Sequence, residues 1–133
     1  MQNRNVVNWF EIPTKNLARA RRFYEAIFKI TQQELRTSQP DMEMVIFPGG
    51  AGSAGAAGAL IHSKHITPGK QGTVVYFRCH SLSEELACIQ AYKDEQDGTQ
   101  TTVLMPKTAI GEDGFIAHFV DTEGNRVGLH SMQ

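Results

Sequence analysis

The chain has little cysteine, no basic excess and no long apolar run, and each shortage removes a class of protein. Only Cys79 and Cys88 occur in 133 residues. Two thiols at that spacing make neither a disulfide framework nor a metal-binding pair. Lys and Arg number 13 against 14 Asp and Glu, a net charge of −1, so the basic footprint of a nucleic-acid binder is missing. No apolar stretch approaches the ~18 residues of a membrane span. Residues 1–8 are polar and lack the apolar core of a signal peptide. The expectation is a soluble, cytoplasmic, reduced protein with neither nucleic acid nor membrane as partner.

What is present is an order of elements that occurs twice. Residues 5–12 (NVVNWFEI) are β-branched and aromatic and run up to Pro13, which predicts a strand. Asn16 then caps a helix from Leu17 to about Phe28, with Leu17, Ala20, Tyr24, Ile27 and Phe28 on one face and Arg19, Arg22 and Lys29 outward. The basic group at 19–22 reads as a solvated face. Residues 31–38 and 42–47 predict two strands. A small-residue loop (GGAGSAGAAG, 49–58) leads into a short strand at 59–62. After the linker-like TPGKQG at 67–72 the order returns. A strand at 73–79 precedes a helix capped by Ser81, with Glu84 completing a capping box and Leu82, Leu86 and Ile89 facing inward. Residues 99–105 predict a strand closed by Pro106. Strands at 115–120 and 126–130 flank the turn DTEGN at 121–125, which suits a hairpin. The caps Asn16 and Ser81 stand 65 positions apart, close to half the chain. That spacing predicts two modules, about 5–66 and about 72–131, against the alternative of one α+β sandwich without a repeat.

Two motifs carry less than they promise. Gly50, Gly52 and Gly55 spell G-x-G-x-x-G, but the dinucleotide fingerprint joins a strand to a helix, and a strand is expected after this loop. Cys79 and His80 are neighbours on a predicted strand, so they face opposite ways and make no nucleophile–base pair.

The stretch NWFEIPTKNLARARRFYEAIF, the small-residue loop running into GALI and the block MPKTAIGEDGFIAHFVDTEGNRVGLHS resemble the vicinal oxygen chelate superfamily. This group includes glyoxalase I, bleomycin-resistance proteins and extradiol dioxygenases. The resemblance covers about residues 6–130 and is closest to small glyoxalase-like proteins. It implies an α+β fold of two βαβββ modules with curved mixed sheets enclosing a cavity, and a homodimer. In the metal-dependent members, His, Glu or Gln side chains at four positions bind a divalent ion. Three of those positions hold Trp9, Val74 and Gly128 here, and the fourth falls near Leu60, with His62 two residues on. No cofactor is therefore expected. A divalent metal enters only through a relocated set made of Glu11, His62, His118 and perhaps His130.

Strands alternate faces. With Phe10 and Ile12 under the first helix, Trp9 and Glu11 face the implied cavity. With Val75 and Phe77 under the second, Tyr76 and Arg78 face it. Centring the final turn on Glu123 sets His118 opposite Gly128 on one face. The candidate site is thus Trp9, His62 and Tyr76 for ligand binding, with Glu11 and His118 as acid and base. Two functions remain open: a metal-free small-molecule-binding protein of the bleomycin-resistance type, or a lyase, isomerase or dioxygenase-like enzyme acting on a small carbonyl or hydroxy compound. For each residue a purely structural role is the alternative.

Overall fold

Both helices begin where the capping residues place them. Asn16 is extended and its side chain accepts from the Arg19 amide at 3.0 Å; Ser81 does the same for the Glu84 amide at 3.3 Å. Each cap satisfies an amide that the first helical turn leaves without a partner. The computed structural model describes residues 5–35, 41–49 and 54–133, arranged as two compact units, Met1–Pro68 and Gly69–Gln133.

In the first unit β1 (Trp9–Pro13), α1 (Leu17–Phe28), β2 (Gln33–Leu35), β3 (Met42–Ile46) and β4 (Ala57–Ser63) follow in order. Their sheet runs β1-β4-β3-β2, with β1 parallel to β4 and the other pairs antiparallel. The second unit has β5 (Tyr76–Arg78), α2 (Leu82–Ala91), β6 (Thr102–Ala109), a 3-10 turn at Gly111–Asp113, β7 (Phe115–Val120) and β8 (Arg126–Ser131). Its sheet, β5-β8-β7-β6, repeats the first with the same pairing senses. The fold is therefore α+β, two βαβββ units.

Apolar side chains hold each helix on its sheet. Ala20, Phe23, Tyr24 and Ile27 of α1 are buried with Ile12, Val45 and Leu60. Tyr24 meets Phe23 and Phe47 edge-on, with ring centroids 4.9 and 5.6 Å apart. In the second unit Leu82, Leu86 and Ile89 are buried with Ala117, Phe119, Val127 and Leu129.

Two expectations change. The strand expected to stop at Pro106 continues through it to Ala109. β6 is the edge strand, where a missing N–H costs little, and the register shifts around Met105–Thr108 absorb the proline. The basic group on α1 is not simply a solvated face. Arg21 donates from Nε to Glu25 at 3.1 Å and from its guanidinium to the Gln32 carbonyl, while Glu25 accepts from the Gln32 amide at 2.7 Å. Lys29, at φ 54°, turns the chain so that Gln32 comes back to the helix. Of the G-x-G-x-x-G glycines, Gly50 and Gly52 lie outside the described residues; Gly55 turns at φ 82° and strand β4 follows it.

Candidate functional site

The turn at the end of the second unit fixes the register on which the site depends. Asp121 is buried, and its Oδ1 accepts from the amides of Glu123 at 2.8 Å and Asn125 at 2.9 Å. Its Oδ2 accepts from the Asn125 side chain at 3.1 Å. Gly124 supplies the positive φ of 94° that the turn needs. This hairpin pairs His118 with Gly128 and Val120 with Arg126, and β5 sets Tyr76 beside Gly128. Directly paired residues share a face, so Tyr76, His118 and Arg126 come together on the face opposite Leu129 and Ala117.

They form a line of hydrogen bonds. Arg126 Nε–H donates to His118 Nδ1 at 2.8 Å, and His118 Nε2 lies 2.5 Å from the Tyr76 hydroxyl. Arg126 has no acceptor capacity, so Nδ1 must be the unprotonated nitrogen. A neutral imidazole then carries its proton on Nε2 and donates it to Tyr76 Oη. The tyrosine's own proton points elsewhere. Burial and the Arg126 charge both hold the His118 pKa below its ordinary value, which keeps the ring neutral. Tyr76 is 40% exposed, and its ring stacks obliquely on His118 with centroids 5.3 Å apart.

Gly128 is the seat of that ring. A Cβ at this position would lie 2.5 Å from Tyr76 Cδ1 and 2.7 Å from Cε1. The glycine at a position where the resemblance implies a metal ligand is thus covered by an aromatic ring. Trp9 and Gly128, with Val74, offer no metal donor, and among the described residues no three His, Cys, Asp or Glu side chains gather to hold an ion. The side chains at these three positions do not fit a divalent metal.

In the first unit Trp9 and Glu11 share a face, as expected. Trp9 Nε1–H donates to Glu11 Oε2 at 3.1 Å, and both are exposed. They lie beside Ala57 and Ala59 of β4. His62 does not join them. Leu60 pairs with Ile12, so His62, two residues on, shares the helix-side face with Ile12, and its Nδ1–H donates to the Thr14 carbonyl at 3.0 Å. A one-residue difference in register exchanges the faces of a strand.

Cys79 carries no reactive thiolate. Burial, with Glu85 nearby, pushes its thiol up to about 11, and its Sγ–H points at the His130 carbonyl. Sequence reasoning missed Arg126, although the signal was available: two residues before Gly128 on the same strand, it had to share the His118 face.

Comparison with solved structures finds relatives of the same architecture. Glyoxalase I from Zea mays matches over 93% of this chain at 14% identity and a TM-score of 0.67, but this chain spans only 45% of that one. A glyoxalase/bleomycin resistance protein/dioxygenase superfamily member from Sphaerobacter thermophilus matches over 96% of this chain and 97% of its own, at 16% identity and a TM-score of 0.65. TnmS3, an antibiotic-binding protein from Streptomyces, matches over 98% of both chains at 20% identity and a TM-score of 0.60. No family model matches the chain, and no curated protein matches it. At these identities the likeness is one of fold.

Proposed function

We propose that this chain, which has the glyoxalase-like fold of the vicinal oxygen chelate superfamily, binds a small molecule on the open face of its second sheet, without a divalent metal. The observation that carries the reading is the line Arg126–His118–Tyr76. It leaves an exposed phenol with one unused proton to donate and an aromatic face on which a planar ligand can lie. A fixed polar group beside an aromatic wall is how small-ligand sites achieve orientation.

The line also supports a reading of His118. Its one basic nitrogen already accepts from a guanidinium, and its one proton already goes to Tyr76. It positions the phenol and does not shuttle a proton, which weakens the acid–base alternative. Trp9 and Glu11 belong to the same reading as a stacking surface and an acceptor on the face of the first sheet opposite α1; the bond between them orients both. His62 is left out of the binding set because of its face. The antibiotic-binding description of TnmS3 supports a binding role in this fold. A homodimer belongs to the same reading, and light scattering of the purified protein checks it.

The test is Tyr76→Phe, titrated with 2-naphthamide as a planar carbonyl probe. The variant keeps the ring and loses the donor. Binding to wild type is expected to weaken about tenfold in the variant, the size of one lost hydrogen bond. Equal affinity for wild type and variant would remove the site.

A further inference from the structure

The four strands of the second sheet, β5 to β8, contain no Asp or Glu. The face that carries Tyr76 also carries Arg78, Arg126, His118 and His130, by the pairings Tyr76–Gly128–His118 and Arg78–His130. Arg126 is already engaged with His118. Arg78 is not: it is exposed and forms no ion pair or side-chain hydrogen bond among the described residues. It also lines a depression with His130 and Gln133, of which Tyr76 is not a lining residue. His130 donates from Nε2 to the Asp113 carbonyl at 2.6 Å, so its proton is spent within the chain and it does not neutralise or compete with Arg78. Tyr76 and Arg78 are two residues apart on one strand, so their Cα atoms stand roughly 7 Å apart on the same face. A phenol proton and an unpaired guanidinium therefore open on the same side, with no strand carboxylate to offset them.

We propose that the ligand is a small organic anion, its oxyanion held by the Arg78 guanidinium and the Tyr76 hydroxyl and its apolar body lying on the Tyr76 ring. This deepens the small-molecule reading and rests on it. A carboxylate accepts charge-assisted bonds from both groups, and a neutral isostere of the same shape gains much less. Coulomb attraction on an open face is screened by salt, so the advantage of the anion shrinks as ionic strength rises.

The experiment compares 2-naphthoate with 2-naphthamide by calorimetric titration of wild type, Arg78→Gln and Tyr76→Phe. The acid is expected to bind wild type about tenfold more tightly than the amide at low salt. Arg78→Gln is expected to erase that preference, weakening the acid about tenfold and the amide much less. Tyr76→Phe weakens both probes. Equal binding of acid and amide, or a preference that survives Arg78→Gln, overturns the anion assignment. If Tyr76→Phe still weakens both in that case, the small-molecule site itself stands. Affinities unmoved by either substitution, or no binding of either probe, overturn both.

Discussion

Asp121→Ala is expected to cost about 3 kcal/mol of unfolding free energy, a large share of the roughly 5–15 kcal/mol that holds a domain together. The carboxylate accepts from two backbone amides and one side-chain amide in a turn that is almost wholly buried. Alanine leaves these donors away from water without their acceptor. Asn125, in turn, accepts from the Gly69 amide at 3.1 Å, so the loss spreads to the start of the unit. Asp121→Asn keeps the Oδ1 acceptor and is expected to lose clearly less. Urea unfolding of both variants checks the ordering. A loss below about 1 kcal/mol for the alanine variant would mean that the turn is held by its backbone alone. The same substitution is expected to weaken probe binding, because the turn sets the pairing of His118 with Gly128 and of Val120 with Arg126.

Gly128→Val is the second large effect. The new Cβ would sit 2.5 Å from the Tyr76 ring, far inside the ~3.5–4.0 Å at which carbon atoms pack. Strand β8 is paired on both sides, to β5 and to β7, so the backbone cannot retreat. The ring must leave, and its hydroxyl leaves His118 with it. Overpacking of this kind costs about 1–3 kcal/mol, and probe binding is expected to fall more than tenfold. A double-mutant cycle separates the causes: in a Tyr76→Ala background the same substitution is expected to cost little, because nothing is left to displace. An equal cost in both backgrounds would show that Gly128 is needed for its backbone and not for the ring.

Much of the architecture was legible because it is written in local chemistry. Asn16 and Ser81 have the side chains that cap helices, and Asp121, Gly124 and Asn125 have those that make this hairpin turn. From the turn, counting along two strands gives the His118–Gly128 pair without further information. What could not be read depends on contacts distant in sequence. Pro106 signals the end of a strand unless the strand is known to lie at a sheet edge. The face of His62 depends on where β4 begins after a small-residue loop, and there a single position decides between the helix and the opposite side. Gly128 looks like a missing ligand in sequence; only the structure shows that the Tyr76 ring occupies the space where a side chain would be. Arg126 completes the site because it reaches a neighbouring strand, a contact that residue spacing allows without requiring.

The proposed site requires that Arg126 and Tyr76 hold His118 as a neutral ring with its proton on Nε2, so that the Tyr76 proton is available to a ligand. Long-range 1H–15N NMR of the histidine side chains at pH 7 tests this most directly. His118 is expected to show a protonated Nε2 and an unprotonated Nδ1, and Arg126→Gln is expected to alter this pattern. A His118 ring protonated on Nδ1, or on both nitrogens at that pH, would contradict it.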